Sequence, residues 1–128
     1  LYIGSNPFAG TYSNNNSDCQ NKVELIIKNH RFFIMNNTLY SKKDRRLVSY
    51  LGAEELLEVL EGTEIIGENA FFDTQLKKIY LPRTINIVHK SAFLYCPIEY
   101  IFVPTGMITN YLCILPKYVI ENVEIKEY

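Results

Sequence analysis

A chain of 128 residues that is 48% apolar, 13% aromatic and 21% charged has the makings of one globular domain, neither disordered nor collagenous. Thirteen basic residues against 14 acidic ones leave a net charge of -1, which removes the broad electrostatic footprint of a general nucleic-acid binder. No apolar run approaches the roughly 20 residues that span a bilayer, so membrane insertion is not expected.

The opening Leu1-Tyr2-Ile3-Gly4 is not a basic stretch followed by an apolar one, so either a signal has been removed or the sequence is a piece of a longer protein. Residues 1–27 form a divergent first repeat. In it Ile3-Gly4-Ser5-Asn6-Pro7-Phe8 overlays Ile66-Gly67-Glu68-Asn69-Ala70-Phe71. A polar insertion at 11–18 reads as a surface loop, and a strand is expected at 23–27. Because the first repeat starts halfway through its unit, its edge is uncapped. Upstream residues, or self-association with a second copy, are expected to cover it.

Residues 28–52 break the pattern with a hairpin module. The strand 31–35, the turn Asn36-Asn37 and the strand 38–40 are followed by a second turn at 41–46 and the strand 47–50.

Regular repeats of 22 residues then occupy 53–104. Ala70-Phe71 recurs as Ala92-Phe93, and the same offset maps Ile65-Ile66 to Ile87-Val88, Leu76 to Ile98, Ile79 to Ile101, Leu81 to Val103 and Pro82 to Pro104. Ile79-Tyr80-Leu81 alternates in, out, in, and Pro82 ends the strand by withholding an amide. Ile85 and Ile87 alternate again before the turn that carries Ala92-Phe93. Ala53 to Leu60 has the composition of an amphipathic helix, yet Leu57 and Val59 sit 22 residues before Ile79 and Leu81, so a strand is expected. Such a unit cannot close its own core, and stacked copies bury a continuous one. The fold class expected is a short, β-rich solenoid. After Pro104 the periodicity dissolves. The remaining residues 105–128 are expected to cap the stack, with a short helix over 107–115 ended by Pro116 and a last strand over 118–125.

Read together, Leu76-x-x-Ile79-x-Leu81-Pro82-x-x-Ile85-x-x-Val88-His89-x-x-Ala92-Phe93-x-x-Cys96 resembles the unit of the BspA-like leucine-rich-repeat family. The hairpin from Phe33 to Tyr50 and the tail from Ile101 to Met107 with Tyr111 are similar to other segments of that family. Departures are local: His89 stands where Gly67 stands, Leu60 replaces the proline, and the first copy carries an insertion. The resemblance implies proteins exported or displayed at the surface of bacteria, with relatives in some protozoa, and roles in adhesion. It implies no reaction and no cofactor. An extracellular or cell-surface location follows from it alone.

The chemistry-bearing residues read accordingly. Cys96 and Cys19 fill a turn as small inert thiols, and Cys113 packs in the cap. His30 and His89 have no ligand at metal spacing and read as surface or turn residues. Glu54, Glu55, Glu58, Glu61, Glu64 and Glu68 read as a solvated face, since no calcium-loop pattern accompanies them. Neither a metal site nor a catalytic constellation is evident, so an enzyme is not expected. Lys42, Lys43, Arg45 and Arg46 concentrate charge at a hairpin tip, a solubilising turn or a contact for an anionic partner. On the repeat strands the outward positions stack Glu58, Tyr80 and Phe102 in one row and place Lys78 beside Tyr100 in another. Tyr80, Tyr100 and Phe102 are expected to form an exposed aromatic patch with a cation, Lys78, beside it. The patch either binds a protein or glycan or merely stabilises the sheet, and the chain is correspondingly a binding module or a structural spacer.

Overall fold

The computed structural model of the chain describes residues 31–128. The first repeat at 1–27, its insertion and strand, Cys19, His30 and the N-terminal edge lie outside the described residues.

Strands β1 (Phe32–Met35) and β2 (Thr38–Ser41) pair antiparallel with Met35 opposite Thr38, leaving a two-residue loop. Asn36 and Asn37 in that loop both have left-handed φ, 52° and 57°, the geometry whose twist suits a hairpin and that asparagine tolerates best after glycine. β3 (Arg46–Tyr50) returns antiparallel on β2 with an irregularity between Leu39 and Tyr40. The free edge of β3 then accepts β5 (Ile65–Ile66) in parallel, and β5 accepts β7 (Ile87–Val88), completing a five-stranded sheet in the order β1-β2-β3-β5-β7.

The second sheet is parallel throughout. β4 (Leu56–Glu58), β6 (Lys78–Tyr80) and β8 (Tyr100–Val103) follow one another with Leu57, Ile79 and Ile101 in register, each step 22 residues. Residues 56–58 are thus a strand, despite helix-forming side chains. The reason is tertiary: the carbonyl of Glu55 accepts the amides of Lys77 and Lys78, and Leu57 is buried against Ile79. A third ladder joins the Ala-Phe turns, where the Tyr50 amide donates to Ala70 and the Phe71 amide to Ala92. The inward residues of both sheets and of these turns make one core, with Phe71 and Phe93 ring to ring at 5.1 Å.

Two expectations about the strands and tail are corrected. Ile87 does not point inward with Ile85: it is 54% exposed. The chain bends at Asn86, where the successive amides of Asn86 and Ile87 both reach the carbonyl of Glu64, so the alternation does not run through. In the tail the first helix is present, α1 (Ile108–Ile114), but residues 118–125 are not one strand. A second helix, α2 (Lys117–Asn122), comes first, and β9 (Glu124–Glu127) follows. Pro116 holds extended backbone between the helices, and Tyr111, Leu115 and Val119, four residues apart, are the buried positions. Nor does the ladder end at Pro104. β9 pairs parallel with β8, placing Ile125 beside Ile101 after a step of 24 residues instead of 22.

Gly67 shows how closely the strands approach. A Cβ there would lie 3.1 Å from the carbonyl oxygen of Leu47 and 3.0 Å from Cδ of Arg46. Gly67→Ala is expected to cost about 1–3 kcal/mol, read as a lower urea midpoint at unchanged m-value. At the equivalent position His89 instead turns its Nδ1 to the Ser91 amide (3.2 Å) and hydroxyl (2.9 Å).

Candidate functional site

The outer face of the parallel sheet carries two rows of side chains. One reads Glu58, Tyr80, Phe102, Lys126, and the other Leu56, Lys78, Tyr100, Glu124. Parallel pairing at about 4.8 Å spacing sets equivalent side chains above one another, and the aromatic members take up that spacing. Tyr80 and Phe102 stack with centroids 4.4 Å apart and planes 13° apart, and Tyr100 lies 6.0 Å from Phe102. Rings stacked at the strand spacing stand up from the sheet, so their faces meet each other and their edges meet solvent.

The three aromatic residues expected together are therefore together, but the patch is half-buried and not openly exposed. The tail accounts for part of this: Tyr128 packs against Tyr80 at 5.4 Å and 70°. The cation also differs. Lys126, from β9, sits with Nζ 5.0 Å from the Tyr100 centroid, while its ammonium lies 3.5 Å from the Glu124 carboxylate. Lys78 remains exposed at the rim, beside a recess of about 350 Å³ lined by Glu55, Leu56, Lys77 and Glu99. Glu55 and Lys77 form an ion pair there at 3.7 Å.

The cationic turn belongs to the hairpin on the other sheet. Arg45, at φ 53°, reaches Glu64 at 3.4 Å. Arg46 Nε lies 3.3 Å from Asp44 without hydrogen-bond geometry, and its stem runs over Gly67. Arg45 and Arg46 thus have carboxylates beside them, and Lys43 stands exposed. Exposed pairs of this kind contribute at most about 1 kcal/mol each.

Cys96 is half-buried, 3.4 Å from the Thr74 hydroxyl and donating to the Leu76 carbonyl at 3.4 Å; burial pushes its thiol up, which keeps it unreactive. Cys113 is not packed in the cap. It is exposed, because Tyr111 and Leu115 take the inward face of α1 and leave Cys113 on the other side. Among the described residues no three His, Cys, Asp or Glu side chains gather where a metal ion could sit, and no helix is long and apolar enough to cross a membrane.

Sequence reasoning missed two features. Phe72 and Tyr95 meet edge to face at 5.3 Å on neighbouring Ala-Phe turns, 46% and 77% exposed. Tyr95 holds a left-handed φ of 55°, matching 56° at Asp73 one repeat earlier. The 22-residue offset marks the shared position, but the sign of φ is not legible in it. The second feature is a set of tyrosine hydroxyls that bond backbone groups far along the chain. Tyr40 accepts the Leu60 amide and Tyr118 the Phe93 amide, while Tyr111 donates to the Pro82 carbonyl and Tyr128 to Leu81. Each supplies a partner to a backbone group that the strand ladders leave over. Ten tyrosines in 128 residues were the available signal.

No curated protein and no solved structure matches the chain. The family model for the BspA type leucine rich repeat region matches in six copies across residues 53–126. That match covers more than half of the chain, and it coincides with the 22-residue ladders and with the tail that continues them: the chain belongs to the BspA type leucine-rich-repeat family.

Proposed function

We propose that the chain is a non-catalytic repeat domain, a short solenoid displayed outside the cell, that binds a macromolecular partner through the outer face of its parallel sheet. Family membership supports the general setting, since leucine-rich-repeat families are generally non-catalytic and this one is typically associated with bacterial surfaces. The observation that carries the rest is the ladder Tyr80, Phe102, Tyr100, set between Lys78 and Lys126 on a regular sheet. Aromatic side chains are enriched at interface cores. Because the ring faces are turned to each other, the ladder offers edges, which favours a protein partner over a sugar ring seeking a flat platform.

A structural reading has its own support. The same stacking stabilises the sheet, by roughly 0.2–1 kcal/mol per cross-strand pair, as a spacer between other domains requires. Tyr100→Ser separates the two. Its neighbour in register is Lys78 and not a ring, so the substitution trims the patch and leaves the Tyr80–Phe102 stack in place. Binding of extracellular-matrix proteins to the immobilised chain should fall about tenfold while the urea midpoint moves by less than about 1 kcal/mol. Unchanged binding with an unchanged midpoint would leave the ladder a sheet stabiliser.

A further inference from the structure

Beside the ladder, a recess of about 130 Å³ opens between the hairpin loop and the ends of β4 and β6, lined by Asn36, Glu58, Leu60, Glu61, Tyr80 and Tyr128. It is too small for a free ligand of ordinary size but has room for one side chain. Two walls are the Tyr80 and Tyr128 rings, 5.4 Å apart and steeply inclined, with the Tyr128 hydroxyl tied to the Leu81 carbonyl at 2.8 Å. The rim carries Glu58 and Glu61, both exposed. Glu55 and Glu64 in the same acidic run are paired with Lys77 and Arg45, whereas Glu58 and Glu61 have no ion pair among the described residues. Their charge reaches the site: besides burial, Glu61 and Glu58 push the Tyr128 hydroxyl up, against the opposing field of Arg83.

We propose that this recess receives the cationic side chain, lysine or arginine, of a protein partner. Two aromatic walls and two unneutralised carboxylates are complementary to an ammonium or guanidinium group on an aliphatic stem. A neutral apolar group would desolvate the carboxylates without compensation, and an anion would be repelled. The inference rests on the reading of the chain as a partner-binding domain, and names the chemistry one pocket of that surface selects.

The test uses the full chain, labelled with nitrogen-15, titrated with the blocked peptide acetyl-Gly-Lys-Gly-amide and with its norleucine counterpart. The lysine peptide is expected to give saturable shifts at Asn36, Glu58, Glu61 and Tyr128, and the norleucine peptide none. The double substitution Glu58→Gln with Glu61→Gln should weaken the response about tenfold. Removing equal charge elsewhere, with Glu54→Gln and Glu68→Gln, should change it less than about twofold. Equal losses in both double variants, equal response to norleucine, or no saturable shift would each overturn the proposal. Matrix-protein binding that still depends on Tyr100 would then leave the sheet-face reading standing, so the two failures are distinguishable.

Discussion

Phe71→Ala is expected to destabilise the domain by about 3–5 kcal/mol, and Phe72→Ala, one residue along, by less than about 0.5 kcal/mol. Phe71 is fully buried, packs on Phe93 at 5.1 Å and donates its amide to Ala92, so truncation opens a cavity at the junction of two repeats. Phe72 points the other way, nearly half exposed, with Tyr95 edge-on against its ring. A domain of this size has roughly 5–15 kcal/mol of stability, so the first substitution removes a large share of it. Urea midpoints of the two variants check the claim. Equal losses would mean that the Ala-Phe turn is displaced as a unit and that its inward residue is not what joins the repeats.

The second large effect is alkaline. Burial pushes the Tyr40 hydroxyl from 10.0 to about 12, against the Leu60 amide and Thr38 bonds that pull it down. Burial also raises Tyr111, Tyr118 and Tyr128. A tyrosine whose folded pKa exceeds its unfolded value keeps its proton longer when folded. The unfolded chain then binds fewer protons above pH 10, so stability is complete below pH 10 and falls as pH rises toward 12. Tyr40 alone accounts for a loss of about 2 kcal/mol across that window. Tyr40→Phe should flatten its share of the slope. At neutral pH the same variant should cost about 1–3 kcal/mol, because the buried Leu60 amide loses its acceptor. Denaturation at pH 8 and pH 11 distinguishes these contributions. Equal stability of the parent chain at both would show that the tyrosines ionise in the folded state without penalty.

The same tyrosines separate what local sequence can carry from what it cannot. The 22-residue offset, the strand at 56–58, the Asn36-Asn37 turn and the outward row Glu58, Tyr80, Phe102 were all legible, because each follows from residue spacing or from the conformational limits of one or two residues. The period of a repeat is a property of the chain written many times over, and its register fixes which side chains share a face. The partners of the backbone groups that the ladders leave over were not legible. The hydroxyls of Tyr40, Tyr111, Tyr118 and Tyr128 find the unpaired backbone groups across gaps of 20 to 47 residues, and nothing in their immediate neighbours marks them. The tail misled for a related reason: Tyr118, Val119 and Ile120 fit a strand or a helix equally, and packing of Val119 into the core decided for the helix. That choice brought β9 alongside β8 and set Lys126 over Tyr100, where spacing alone had offered Lys78. Ile87 and Cys113 face outward because of a bend at Asn86 and the rotation of α1, both consequences of packing. Repetition along the chain is enough to specify the interior of the stack. In the tail the period is lost, and side chains there are placed by whatever backbone and apolar surface the three-dimensional arrangement leaves to be covered.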